Sequence, residues 1–117
     1  MVKHQVHDEF TSFKGTSIIE LSKTAADFAQ QKQVAVKSLA VVMLPSTTLP
    51  APVILSLGYR SDEAWYPITV DGATLPDATN IDSDIEAAAE QMAGDVICHS
   101  LYVNHAGALE VAFLLHE

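Results

Sequence analysis

The chain reads as an α+β domain: a two-layer sandwich whose mainly antiparallel, five-stranded sheet carries two helices on one face, in the order α-β-β-β-α-β-β. Three observations carry that reading. Two stretches place apolar residues three and four apart behind a Ser-x-x-Glu start, which is the pattern of an amphipathic helix. Five others alternate with a period of two or are apolar throughout, as strands are. The connections between those strands are short, which favours hairpins over crossovers.

Residues 1–14 mix charges with Val6, Phe10 and Phe13 and keep no clean period, so they read as an arm docking through the two phenylalanines, with an edge strand as the competing reading. Residues 15–117 are then the single folded domain. Gly15-Thr16-Ser17 breaks the chain, and Ser17 with Glu20 makes a capping box for a helix reaching about Lys32. Its buried stripe is Ile18, Leu21, Ala25, Phe28 and Ala29. From Val34 the residues turn β-branched, and Leu39 to Leu44 is continuously apolar, which predicts a covered strand with a continuing helix as the competitor. Pro45, Pro50 and Pro52 end that element in a stiff loop. Val53 to Arg60 alternates and is a half-buried strand. After a turn at Ser61 to Ala64, Trp65 to Val70 is a strand that Pro67 places at an edge, and Asp71-Gly72 reads as a turn. A second capping box, Ser83 with Glu86, opens a helix with Ile85, Ala88, Ala89 and Met92 inward, and Gly94 stops it.

The end of the chain is the most determinate stretch. Ile97, Leu101 and Val103 alternate, as do Leu109, Val111, Phe113 and Leu115. Putting both sets on one face pairs Val103 with Leu109, His99 with Phe113 and Cys98 with Leu114. His105-Ala106-Gly107 is then a three-residue loop with Gly107 left-handed. No internal sequence repeat is evident. In element order, size and acidity the chain is similar to the small acidic type III secretion chaperones, whose further C-terminal helix has no counterpart here. The likeness implies an acidic α+β module that works by binding a protein.

Composition narrows function. Residues 1–58 carry five lysines against four acids, whereas residues 59–117 carry Arg60 alone against eleven acids. An acidic body repels phosphate backbones, so no nucleic-acid partner is expected. The longest apolar run, Leu39 to Leu44, is far short of the roughly 18 residues that a membrane span needs, so no membrane partner is expected either. One cysteine and the absence of a secretory pattern at the N-terminus predict a reducing, cytoplasmic setting.

Chemical motifs are sparse. His4 and His7 with Asp8 and Glu9 have a metal-like spacing, but solvated polar residues on an arm are the favoured reading and no metal site is expected. Asp77, Asn80, Asp82, Asp84 and Glu86 lack the spacing of a Ca²⁺ loop and read as acids at a helix start. His99 points to the face opposite Cys98, and His116, its diagonal cross-strand neighbour, is penultimate and has no acid to orient it; with no glycine-rich turn before it, Cys98 reads as an inert strand cysteine. Without a phosphate loop, a dinucleotide fingerprint, a nucleophile elbow or a zinc-protease motif, neither a cofactor nor a catalytic residue is assigned.

The stretch from Tyr59 to Tyr66 stands out, because it gathers the only Arg, the only Trp and two of the three Tyr, the residue types that dominate binding surfaces. The sequence therefore predicts a non-enzymatic binding module that meets a protein partner or small ligand through Tyr59, Arg60, Trp65 and Tyr66 and the adjoining sheet face, with His99 and Tyr102 as further candidates. The competing structural role packs Trp65 and Tyr59 in the core and pairs Arg60 with Asp62 or an acid on the second helix. The alternative function is a small enzyme or ligand carrier with a pocket between sheet and helices and His99 as its titrating group. Leu109 to His116 reads as an apolar, uncovered edge, which predicts a homodimer through the C-terminal hairpin.

Overall fold

The computed structural model describes residues 8–76 and 79–117. Two helices and six strands follow in the order β1 (Glu9–Gly15), α1 (Ile18–Lys32), β2 (Ala35–Met43), β3 (Val53–Arg60), β4 (Ile68–Thr74), α2 (Ile81–Glu90), β5 (Asp95–Val103) and β6 (Leu109–His116). The α+β class holds, but the expected five-stranded sheet is replaced by two three-stranded antiparallel sheets, β1-β3-β2 and β4-β6-β5. The sixth strand comes from the stretch read as an arm: Glu9 pairs with Tyr59 and Gly15 with Val53, which turns Phe13 inward. The sheets abut along β2 and β5 without joining, because side chains occupy the donors that a continuous ladder would use. Val41 N–H donates to Ser100 Oγ at 3.1 Å, and the Leu39 amide bonds the Cys98 sulfur.

The two helices lie on different layers, which corrects the expectation that both cover one face. Leu21, Ala25 and Ala29 of α1 are buried between Val53, Leu55 and Leu57 of the first sheet and Val70, Ala112 and Leu114 of the second. α2 covers the far face of the second sheet, with Ile81, Ile85, Ala88 and Met92 against Val111, Phe113 and Leu115. The reason is β6, which is apolar in both alternating sets and so needs cover on both sides. Two local readings also change. α2 starts at Ile81 after Asn80, whose side chain makes no cap hydrogen bond, placing Ser83 inside the helix, and Asp71-Gly72 lies within β4 rather than in a turn. Among the described residues no helix is long and apolar enough to cross a membrane.

Local signals elsewhere hold. Ser17 Oγ accepts the Glu20 N–H at 3.2 Å and starts α1, while Glu20 reaches back to the Thr16 hydroxyl. The terminal hairpin has the expected register, with Val103 opposite Leu109, His99 opposite Phe113 and Cys98 opposite Leu114. Gly107 turns it at φ 82°, and Asn104 Oδ1 accepts the Ala106 and Ala108 amides. β6 is not an edge, however: β4 pairs along its other side. The uncovered strand that motivated a homodimer through this hairpin is therefore absent, and the feature missed was that Ile68 to Thr74 supplies its second neighbour.

The chain is built twice from one β-α-β-β plan. In both halves the third strand lies between the first and second. In both, the second strand has nine residues and a bulge at its third: Lys37 is passed over between Val36 and Ser38, and Ile97 between Val96 and Cys98. Those registers equate Glu9 with Thr69, Val36 with Val96 and Leu57 with Phe113. The helix stripe repeats as well, since Leu21, Ala25 and Ala29 correspond to Ile81, Ile85 and Ala89. Identities across the equivalent positions are confined to Ala29/Ala89, Gln31/Gln91 and Val36/Val96, which is why the sequence alone shows no repeat.

Candidate functional site

The residues from Tyr59 to Tyr66 occupy the end of β3 and the turn into β4. Alternation along β3 sends Tyr59 inward, where its ring meets Phe28 edge-on at 5.1 Å, and Phe28 meets Phe13 at 5.7 Å. Arg60, the next residue, faces the surface. Its guanidinium forks onto Asp62 at 2.9 and 2.7 Å, and Nε also reaches Glu63 at 3.3 Å. Glu63 in turn binds Lys37 Nζ at 2.9 Å. The Lys37 ammonium, raised above its ordinary value chiefly by that carboxylate, lies 6.0 Å from the centre of the Tyr66 ring. Tyr66 stacks on His116 at 4.6 Å and 14°, and its hydroxyl donates to the Val36 carbonyl.

The β2 bulge explains why Lys37 joins this group. Passing over Lys37 leaves it out of the alternation that buries Val36, so it remains exposed beside the turn. Trp65 packs partly on the core with its indole N–H buried and without an acceptor among the described residues. Four predicted residues, Tyr59, Arg60, Trp65 and Tyr66, thus gather at one end of the molecule. Lys37 and His116 were missed, and Glu63, inside the stretch, was not singled out. No local pattern marks Lys37 or His116, because a bulge brings in the one and the far end of another strand the other.

The other two candidates lie elsewhere. His99 is exposed on β5 beside Phe113. Tyr102 is buried at the other side of the second sheet, its hydroxyl bonded to Glu110, whose carboxylate also accepts from Thr74 and Asn104 at 3.1 Å each. Burial and that carboxylate push the Tyr102 phenol far above its ordinary range. Tyr102 lines a 240 Å³ cleft with Ile18, Gly72 and Glu110. A 480 Å³ cleft between α1 and β4, lined by Ser22, Val70, Leu115 and Glu117, contains neither His99 nor Arg60. Among the described residues no three His, Cys, Asp or Glu side chains converge as metal ligands, and His4, His7 and Asp77 lie outside those residues.

Chemically, the Tyr59–Tyr66 end holds charge without freeing it for proton transfer. Each cation already has a carboxylate, while planar groups remain displayed beside it. Comparison with protein-family models, curated proteins and solved structures finds no match.

Proposed function

We propose that this protein is a non-enzymatic binding module, contacting a protein partner or small ligand through the Tyr59–Tyr66 end and the sheet face beside it. One observation carries the reading: Lys37, Arg60, Tyr66 and His116 are held in fixed places by ion pairs and stacking at the surface. A side chain already ordered loses less entropy when a partner covers it, so such a cluster favours recognition. The exposed ion pairs themselves add little stability, typically about 0–1 kcal/mol each.

Photocrosslinking tests it. With p-benzoylphenylalanine in place of the exposed Ala64, irradiation in cells should give a discrete crosslinked species. Arg60→Ala or Tyr66→Ala in the same protein should remove it. A species indifferent to both substitutions, or none at all, overturns the assignment.

A further inference from the structure

The two halves carry the same surface in opposite states. In the second half, the sheet face formed by Val70, Tyr102, Ala112 and Leu114 is buried, because the helix of the first half lies against it. That helix also closes the strand edge: Ser22 Oγ accepts the Val70 N–H at 2.8 Å. In the first half the equivalent positions are Phe10, Val42, Ser56 and Gly58. Phe10 is 67% exposed and Val42 49%. The common register turns the Phe10 N–H away from β3, as it turns Val70 away from β6, and no described side chain accepts it.

This face is not finished as a solvated surface would be. In a chain with fifteen acids the strand positions of this face carry none, and its two charges stand at opposite ends, Lys14 at one and Arg60 at the other. We propose that the outer face and edge of β1, β3 and β2 seat an α-helix of a partner protein, as α1 is seated on the second sheet. α1 starts beside Gly72 and Thr74 and passes Ser22 over Val70, so the guest helix would start over Lys14 and run past Phe10. The chemistry required of it follows. It has a stripe of small residues, as Ala25 and Ala29 are in α1. It has a hydroxyl or carboxylate side chain to accept the Phe10 N–H. Its first turn is acidic, answering both Lys14 and the helix dipole. The α2 helix of a second copy does not meet this description: Asp82 could accept the Phe10 N–H, but Glu86 stands where α1 has Ala26, and seating that helix would bury Glu86 against apolar residues.

The inference rests on the binding-module reading and names the partner's chemistry. Its probe is a synthetic peptide of residues 17–33, the α1 sequence, added to the full-length ¹⁵N-labelled protein. Saturable shifts are expected at Phe10, Ser12, Ile54 and Ser56. Phe10→Asp and, separately, Val42→Asp should each weaken binding at least tenfold while leaving the near-ultraviolet circular dichroism unchanged, since both side chains face solvent. The absence of shifts up to millimolar peptide overturns the proposal, as do shifts that neither substitution moves. Twice the 12.6 kDa mass in light scattering, reduced by Asp82→Lys, would give the seat to a second copy and overturn it as well. If the Ala64 crosslink persists while the peptide is silent, the helix seat alone fails.

Discussion

Phe113 shows how much one side chain carries here. It is 1% exposed and sits on the central strand under α2, in a cluster with Leu75, Val111 and Leu115. Phe113→Ala should destabilise the fold by about 3–5 kcal/mol in chemical denaturation, the cost of lost transfer energy plus an unfilled cavity. A loss below about 1 kcal/mol would mean that α2 does not cover this face. Tyr102 makes a pH prediction. Its phenol is raised in the fold, so the folded state keeps a proton that the unfolded chain gives up near the ordinary tyrosine value of 10.0. Stability from this group is therefore complete below that pH and is lost as pH rises further. Denaturation midpoints should fall above about pH 10, and Tyr102→Phe should flatten that fall; an unchanged slope in the variant would assign it to other groups.

At the scale of elements, turns and edges set the limits. Gly107 and Gly94 both hold positive φ, at 82° and 105°, but for different surroundings. A Cβ on Gly107 meets nothing within 4 Å, whereas one on Gly94 would lie 2.6 Å from the His116 carbonyl oxygen. Gly107→Ala should then cost about 1–2 kcal/mol, the strain of a left-handed backbone alone. Gly94→Ala should cost more, since the end of β6 must also move. Equal midpoints for the two variants would show that this strand end gives way freely. The strand edges differ in the same manner. That of β4 is closed by Ser22, and removing the acceptor with Ser22→Ala should cost about 1–3 kcal/mol by leaving the Val70 N–H unpaired.

The whole molecule behaves as two copies of one plan that share a single interior. The first half contributes α1 to the core of both sheets, while α2 serves the second sheet alone. Residues 64–117 by themselves should lack a cooperative unfolding transition, because without α1 the face holding Val70, Ala112 and Leu114 has no cover. Mixed with residues 1–63, they should regain one, visible by circular dichroism during a thermal ramp. Cooperative melting of the isolated fragment would refute this dependence. A homodimer stays a proposal; since β6 is paired on both sides, such an assembly needs a surface other than the C-terminal hairpin edge.

What the sequence determined by itself was local: the capping of α1 by Ser17, the strand character of residues 53–60, and the hairpin from Cys98 to Leu114 with its register and its left-handed Gly107, whereas residues 35–43 kept a helix as competitor and the bulge at Ile97 was not foreseen. In each case neighbours along the chain supply the energetics, through a side chain bonding an amide three residues on or an alternation that admits one pairing. The gathering of Tyr59, Arg60, Trp65 and Tyr66 was legible for the same reason. Tertiary structure decided what depends on partners far along the chain. Residues 9–15 become a strand because β3 offers a free edge, not because their own period demands it. Lys37 and His116 reach the candidate site through a bulge and a distant strand end. The two apolar faces of β6 look alike in sequence, yet one takes α1 and the other α2, and only the packed molecule distinguishes them. The duplication was hidden because packing preserves apolar volume and register, not residue identity.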